Sequence, residues 1–380
     1  MSDSRLISAD SHFVEPPTMW VERLDRRFRD RAPHAVKLEG KPGEYFVCED
    51  LSPAPIAAFF SAGVPPEEIR EFMKRGFDQA PKAVHDPSER IKDQDRDGVA
   101  AEVIYTSMGM PLFGLGDAEF RAACFRAFND WATDYCSYDL KRLIPLGLIT
   151  LEDIPAAIAE LERIKRRGMA GAMIWGDAPA ERPYSHPDYD PFWAAAQDLD
   201  MSLSLHILTG AKGTAGHASK VVNADMQGIE FMSGLISMVH PIERSLTSLV
   251  FGKVFERFPR LKIVSAENDV AWIPFYLFRI DKYGSRGYKL PLKPSEYIKR
   301  QVYATFIDDP VFVNLLDWFP ADNIMWSSDY PHRQATFPRS QDYVAKHLSK
   351  VSETDRRKIV RGTAAKLYDL NQAQEIVQNG

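Results

Sequence analysis

The chain has 380 residues, a formal net charge of −6, 45% hydrophobic residues and 26% charged residues. This length exceeds that of a typical single domain, but (β/α)8 barrels often reach it as one unit, so we expect one elaborated domain. The small negative charge, with both signs interspersed, argues against a nucleic-acid partner and favours a small-molecule substrate.

The cysteines and the N-terminus predict a cytoplasmic protein. Cys48, Cys124 and Cys136 are odd in number and form no CxxC pair, which favours reduced thiols over a disulfide scaffold. The N-terminus has no basic segment leading into an apolar run, and no apolar run in the sequence approaches membrane-spanning length. We therefore expect neither secretion nor membrane insertion.

Strand-like and helix-like segments alternate along most of the chain. The first strand ends at Asp10, and the irregular, Pro-rich segment 15–86 follows it, with a helix predicted at 66–74. Because this segment is too long for a simple connection, we predict an insertion that covers the barrel mouth. Further strands are predicted at 101–106, 143–149, 171–175, 203–206, 262–267, 302–306 and 323–328. Helices, including 118–138 and 310–318, are predicted between them.

Eight such strands interleaved with helices predict a closed (β/α)8 TIM barrel that includes residues 1–380 as a single unit. No G-x-G-x-x-G motif follows the first strand, which argues against a dinucleotide-binding sheet. An open doubly wound sheet remains the alternative architecture.

Ionisable side chains stand where four of the predicted strands end. Asp10 and His12 follow the first strand, and in an extended chain residues i and i+2 point to the same side. His206, Glu267 and Asp329 follow later strands, and the carboxyl ends of barrel strands share one face. One such residue alone is more commonly a cap, but together they predict a metal site. Mixed nitrogen and oxygen ligands suit Zn, Mn or Fe.

These motifs resemble those of the amidohydrolase superfamily. The start Asp10-x-His12-x-x-Glu15-Pro, the histidine that ends strand five, and the segment Trp326-Ser-Ser-Asp-Tyr-Pro-His332 carry the resemblance. They are similar in particular to the branch that includes aminocarboxymuconate semialdehyde decarboxylase and resorcylate-type decarboxylases. The resemblance extends over nearly the whole chain, and it implies that Asp10, His12, His206 and Asp329 bind the metal.

The chain departs from that branch just after strand six. The decarboxylases carry a histidine there and a glutamate three residues later, whereas this chain has Asn268 and Ala271. The protonating histidine of the branch is therefore missing. Glu267 stands one residue earlier and could serve as a further metal ligand or as a general base. A carboxylate-rich site would favour Mn or Fe over a pure zinc site.

Four further side chains are candidates for roles in the site. His217 lies on a Gly-rich loop after strand five and is a candidate catalytic group, although a histidine on such a loop is often only solvated. Trp175, Asn268 and His332 are candidates for substrate binding. Glu15 is expected to pair with a basic side chain rather than to reach the metal.

The leading functional hypothesis is a metal-dependent hydrolase that acts on a carbonyl-containing, carboxylated or cyclic metabolite through a metal-bound water. Glu267, or Asp329 in a second role, would take the proton of that water. The first alternative is a non-oxidative decarboxylase. The second is an oxygenase in which two iron ions, rather than one ion per chain, use the same residues. A ligand-binding barrel without activity is a fourth hypothesis. The family resemblance also implies a homodimer.

Overall fold

The computed structural model describes residues 5–214 and 229–370, which form two β-sheets surrounded by helices. The strands are β1 (Leu6–His12), β2 (His34–Val36), β3 (Tyr45–Val47), β4 (Ala54–Pro55), β5 (Val99–Tyr105), β6 (Leu143–Leu148), β7 (Gly171–Ile174), β8 (Ser202–His206), β9 (Ile263–Ala266), β10 (Val302–Phe306) and β11 (Ile324–Trp326).

Helices follow the strands of the larger sheet. Before β6 they are α1 (Met19–Arg23), α2 (Ile69–Phe72), α3 (Pro87–Asp97) and α4 (Ala118–Cys136). After β6 they are α5 (Ile154–Arg166), α6 (Asp190–Asp198), α7 (Ile229–Ile236), α8 (Val239–Phe251), α9 (Val254–Arg257), α10 (Ile273–Gly284), α11 (Pro294–Gln301), α12 (Ser340–His347), α13 (Glu353–Arg357) and α14 (Thr363–Leu367). None of the helices in the described part of the chain has the length and apolar character that a membrane span requires.

The larger sheet is a parallel barrel. Its strand order is β1-β5-β6-β7-β8-β9-β10-β11, and each neighbouring pair is parallel. At the two ends of this order, the amide of Asp329 donates to the carbonyl of Asp10 at 2.9 Å, and the amide of His12 donates to the carbonyl of Tyr330 at 2.7 Å. These bonds close the circle, so the (β/α)8 prediction is confirmed.

Local sequence signals explain where the longer helices begin and end. Asp86, Asp117 and Asp153 cap α3, α4 and α5, because each carboxylate accepts a hydrogen bond from a backbone amide in the first turn. Helix α3 ends at Gly98, whose φ of 71° is in the left-handed region that glycine adopts without strain. The barrel strands are buried on both faces, as expected where helices cover a parallel sheet.

Two helix predictions differ from the structure. The helix predicted at 310–318 is wrong, because only a short 3-10 turn, Phe312–Asn314, forms there. Asp309 directs this loop: its carboxylate accepts from the amides of Val311 and Phe312 and from two amides after β9. The helix predicted at 66–74 shortens to the four residues of α2.

The segment between β1 and α3 has structure of its own. Strands β2, β3 and β4 form a small antiparallel sheet. Near the carboxyl end of the barrel, the amide of Ala62 donates to the carbonyl of Pro331 at 3.0 Å, and the Phe59 ring lies 6.2 Å from the His332 ring. Part of the predicted insertion therefore lies beside the residues that follow β11.

Candidate metal centre

Five ionisable side chains from four strand ends meet at the carboxyl end of the barrel. His12 Nε2 lies 3.4 Å from Asp10 Oδ1 and 3.3 Å from Asp329 Oδ1. Glu267 Oε2 lies 3.5 Å from His12 Nε2 and 3.3 Å from His206 Nε2. His206 Nε2 lies 3.7 Å from Asp10 Oδ1. Residues that are up to 319 positions apart in the sequence thus form one cluster.

Four atoms of this cluster fit a divalent cation. Within residues 5–214 and 229–370, Asp10 Oδ1, His12 Nε2, His206 Nε2 and Asp329 Oδ1 are buried and make no hydrogen bond. Buried polar atoms are normally hydrogen-bonded, so atoms that face one another without partners need another explanation. Ligand atoms about 2.1 Å from one ion lie about 3.0–3.5 Å apart, which is close to the separations observed.

The side chains that could hold a cation form two overlapping groups. One consists of Asp10, His12 and His206, and the other of His12, Glu267, Asp329 and His332. The donor atoms of each group lie within 4.8 Å of one another. His12 belongs to both groups. Together the two groups have enough donor atoms for one well-coordinated ion, and some of the carboxylates would be available to a second ion.

Backbone carbonyls orient the two imidazoles. The Nδ1 atom of His12 lies 3.0 Å from the carbonyl oxygen of Thr106, and that of His206 lies 3.0 Å from the carbonyl oxygen of Ile207. A carbonyl can only accept, so each Nδ1 carries the proton and donates it. When each ring is neutral, its Nε2 presents a lone pair to the cluster, which is the arrangement that metal-binding histidines use.

The electrostatics of the cluster are those of crowded acids and bases. Burial, followed by the charge of Glu267, raises the pKa of Asp329 well above its ordinary range. Burial also acts to raise the pKa of Glu267, but the neighbouring imidazoles of His12, His206 and His332 together outweigh burial and lower the pKa to about 2. Burial acts to lower the pKa of His206, but the combined effects of Asp10, Glu267 and the Ile207 carbonyl outweigh burial and raise the pKa to about 9. A bound cation would relieve the repulsion between the acids.

Two of these side chains stand on strained backbone. Glu267 has φ of 55° and Asp329 has φ of 57°, in the left-handed region that residues other than glycine rarely adopt. Each such residue costs about 1–3 kcal/mol, and this strain is found mainly at functional sites. The backbone that follows β9 and β11 therefore carries strain at the two residues that place their carboxylates in the cluster.

His332 adjoins the cluster from the side of the mouth. Its ring stacks on His12 with the centroids 4.0 Å apart, and its Nδ1 lies 3.0 Å from Asp329 Oδ1. Its Nε2 lies 2.8 Å from the hydroxyl of Ser107, which the sequence did not single out. Burial lowers the pKa of His332 to about 4, so the ring is neutral at pH 7. Its role in substrate binding stays a prediction.

Within residues 5–214 and 229–370, Glu15 pairs with no basic side chain, contrary to that part of the expectation. Its buried carboxylate accepts from the hydroxyl of Thr106 and from the amide of Met108. Burial raises the pKa of Glu15. Because it holds the loop after β5, Glu15 supports the position of Ser107 against His332.

Trp175 and Asn268, two further predicted site residues, make their hydrogen bonds to backbone carbonyls rather than to the cluster. Trp175 follows β7, and its indole donates to the carbonyl of Phe113 at 3.2 Å. Asn268 is buried, and its amide nitrogen donates to the carbonyl of Ala266 at 2.7 Å, at the end of β9. Their substrate-binding roles stay predictions. His217, the predicted catalytic histidine, lies outside the described residues.

A (β/α)8 barrel with imidazoles and carboxylates gathered at its strand ends has the architecture of a metal-dependent barrel enzyme. The family model described as Amidohydrolase matches residues 51–370 of this chain. The chain belongs to this amidohydrolase family and is an enzyme, which confirms the resemblance found in its motifs.

Individual relatives support the same branch. A gamma-resorcylate decarboxylase from Polaromonas sp. (strain JS666) is 26% identical over 301 residues, which cover 74% of this chain and 87% of that protein. A solved amidohydrolase from Mycobacterium avium subsp. paratuberculosis superposes with a TM-score of 0.79 at 22% identity, over 97% of this chain and 100% of its own. A dihydroxybenzoic acid decarboxylase from Polaromonas sp., solved with manganese and 2-nitroresorcinol, has a TM-score of 0.65 at 18% identity, over 98% of each chain.

Proposed function

We propose that this chain is a metal-dependent carboxy-lyase that releases carbon dioxide from a small cyclic carboxylate. The observation that carries the proposal is the convergence of unpartnered donor atoms from Asp10, His12, His206 and Asp329 in the described part of the chain. The resemblance to the decarboxylase branch assigns the metal to these four residues. The similarity to a gamma-resorcylate decarboxylase over three-quarters of the chain supports this reaction over our leading hypothesis from the sequence, hydrolysis.

The four residues would hold a divalent cation, for which manganese is the first candidate because a solved decarboxylase relative contains it. When bound, such a cation would supply positive charge that attracts the substrate carboxylate. His12 and His206 contribute neutral nitrogens, and their backbone carbonyl partners keep both rings in place.

Decarboxylation also requires a proton. The bond between the ring carbon and the carboxyl carbon breaks, carbon dioxide leaves, and the electron pair left on the ring carbon takes up a proton. Asn268 occupies the position of the branch's protonating histidine and cannot supply it at neutral pH. Asp329 is the better candidate, because its Oδ1 faces the cluster; it would pass on to the ring carbon a proton that it takes up from the substrate or from water.

Hydrolysis is the second candidate, and one observation favours it. Glu267 is ionised at pH 7 because its pKa is lowered to about 2, so it could accept a proton from water but could not donate one, although so low a pKa makes it a weak base. Its side chain is 17% exposed, more than that of Asp10 or Asp329, so water can approach it from the mouth.

The deciding experiment measures products and oxygen consumption in parallel under aerobic and anaerobic conditions. Manganese-loaded full-length protein would be incubated with dihydroxybenzoates and other carboxylated rings, and in parallel with amide and ester substrates. We expect one carbon dioxide per decarboxylated ring and no consumption of oxygen. Asp329→Ala should abolish the reaction, whereas Asp322→Ala, which changes an exposed aspartate paired with Lys358, should not.

Other products would contradict the proposal. Cleavage of amides or esters without release of carbon dioxide would identify a hydrolase. Uptake of oxygen that depends on two bound iron ions would identify the oxygenase alternative. A chain that binds no divalent cation in solution would exclude all three reactions and return the ligand-binding hypothesis.

A further inference from the structure

The hydroxyl of Thr305 lies between two side chains of the candidate metal centre. Thr305 is fully buried on β10, the strand between β9 and β11 in the barrel. Its Oγ1 lies 3.0 Å from Asp10 Oδ2 and 2.8 Å from the amide nitrogen of Glu267. A residue of a third strand thus bridges a carboxylate of β1 and the backbone that follows β9.

The directions of these two hydrogen bonds are fixed by chemistry. The amide of Glu267 can only donate, so the Thr305 oxygen accepts from it. The carboxylate of Asp10 can only accept when ionised, so the single hydroxyl proton of Thr305 points to Asp10 Oδ2. Oδ2 is therefore engaged, and Oδ1 is the Asp10 oxygen that faces the two imidazoles.

The second bond acts on strained backbone. Glu267 has φ of 55°, and its partly buried amide would lose its hydrogen bond if the hydroxyl were removed. Loss of this bond would act on a backbone that is already strained. The Thr305 hydroxyl thus helps to hold Glu267 where its Oε2 reaches both histidines.

We propose that Thr305 is a positioning residue for the metal centre. Its hydroxyl binds Oδ2 of Asp10, which leaves Oδ1 to face the cation, and it holds the backbone of Glu267 in place. The proposal rests on the cation site that the proposed function requires, but it does not depend on which bond the enzyme breaks. Groups that orient metal ligands in this way typically change metal affinity about 10- to 100-fold when they are removed.

The test removes the hydroxyl while keeping the shape of the side chain. The dissociation constant for Mn²⁺ would be measured for full-length wild type, Thr305→Val and Thr305→Ser, by titration against a competing chelator. We expect Thr305→Val to weaken Mn²⁺ binding about 10- to 100-fold, and Thr305→Ser to bind within about threefold of wild type because it keeps the hydroxyl. Thr133→Val is the matched control, since it removes a hydroxyl bonded to the Asn129 carbonyl inside α4.

A second pair of variants separates positioning from folding. Thr305→Ala also lacks the hydroxyl but cannot overfill the site, so it should weaken Mn²⁺ binding even if Thr305→Val does not fold. In an Asp10→Asn background, much of the effect of Thr305→Val should disappear, because the hydroxyl then no longer selects between two carboxylate oxygens.

Two results would overturn the proposal, and they differ from each other. If folded Thr305→Val and Thr305→Ala bind Mn²⁺ as wild type does, Thr305 has no positioning role, although the cation site stands. If wild type itself binds no Mn²⁺, the proposed function and the role of Thr305 fail together.

Discussion

At the scale of single residues, the metal centre depends on protons as much as on positions. Burial acts to lower the pKa of His206, but Asp10 and Glu267, together with the Ile207 carbonyl, outweigh burial and raise the pKa to about 9. A protonated imidazole cannot bind a cation, and its proton must therefore leave when the metal enters. Raised pKa values of this kind make cation binding pH-dependent.

We predict that the affinity for Mn²⁺ rises with pH up to about 9. Below the raised pKa of His206, each pH unit should change the apparent dissociation constant by up to about tenfold for one displaced proton. Asp329 acts in the same direction, because its pKa is raised and it too must ionise. Chelator-competition titrations between pH 6 and 9.5 would measure this.

The control for that titration is His240→Gln, which changes an exposed histidine paired with Glu243. It should reproduce the wild-type curve, whereas His206→Gln should weaken binding and flatten the pH dependence. An affinity for Mn²⁺ that stays constant from pH 7 to 9 in wild type would show that His206 does not lose a proton on binding.

Glu267 separates the two candidate reactions. If the enzyme is a carboxy-lyase, Glu267→Gln should weaken Mn²⁺ binding but leave kcat of the metal-saturated enzyme within about tenfold, because no general base is required. Loss of a general base in hydrolysis would instead lower kcat about 10²- to 10⁴-fold. Glu119→Gln at the exposed start of α4 is the control, and kcat at saturating Mn²⁺ is the measurement.

At the scale of elements, the barrel closes through the same segments that carry the site, since Asp10, His12 and Asp329 make the closing backbone hydrogen bonds. Arg90 of α3 is fully buried, donates to the carbonyl of His12 at 2.6 Å and to that of Tyr330 at 3.3 Å, and pairs with Glu102 at 2.7 Å. One guanidinium therefore holds together β1 and the segment that follows β11. Its five donors in a planar fork suit this role, which the single ammonium of a lysine would not fulfil.

We expect Arg90→Met to destabilise the fold by about 3–5 kcal/mol, because it leaves the Glu102 charge buried without its cation. The double variant Arg90→Met/Glu102→Gln should recover part of this loss. Arg96→Met, on the exposed side of the same helix, should cost under about 0.5 kcal/mol. Urea unfolding followed by tryptophan fluorescence would give these differences, and equal midpoints for Arg90→Met and Arg96→Met would contradict the role of Arg90.

The sequence predicted the barrel well because its signals are local and repeated. Each barrel strand is a short apolar run, and Asp117 stands directly before the helix predicted at 118–138. The helix predicted at 310–318 failed because the partners of Asp309 are the amides after β9, which no local pattern reveals. The sheet of β2–β4 was also not predicted, because its strands have only two or three residues each and are defined by their pairing with one another.

Part of the candidate site could likewise be predicted from the sequence, and part could not. Asp10, His12, His206, Glu267 and Asp329 were found because ionisable residues at the ends of apolar strands are conspicuous. Their supporting groups were missed because serine and threonine are common in strands and carry no spacing signal. Thr305 is one hydroxyl in a buried strand, and only the fold reveals that it lies between β1 and the end of β9.

At the scale of the whole molecule, the homodimer stays a prediction. Phe275 and Phe278 of α10 are 62% and 47% exposed, and exposed aromatic side chains on one helix are typical of protein contact surfaces. Light scattering on full-length protein should give twice the 43.1 kDa of one chain. Phe275→Lys/Phe278→Lys should shift it towards one chain if this face is used, whereas an unchanged dimer would place the contact elsewhere.

The segment 15–86, predicted to cover the barrel mouth, meets the site through Phe59. Its ring lies 6.2 Å from that of His332, which in turn stacks on His12. A partly buried aromatic ring in this position would offer an apolar wall to the cyclic carboxylate that we propose as substrate. The insertion would therefore contribute to substrate affinity, while the barrel contributes the chemistry.

We predict that Phe59→Ala raises KM about tenfold, as expected for about 1.4 kcal/mol of lost apolar contact, while kcat and the affinity for Mn²⁺ stay near wild type. Phe77→Ala is the matched control, because this phenylalanine belongs to the same segment but its ring lies against His85. Steady-state kinetics with the carboxylated ring that the enzyme decarboxylates would give KM and kcat for both variants. A fall in kcat or in Mn²⁺ affinity for Phe59→Ala would mean that the segment supports the metal centre itself, and equal KM values for the two variants would remove it from the substrate site.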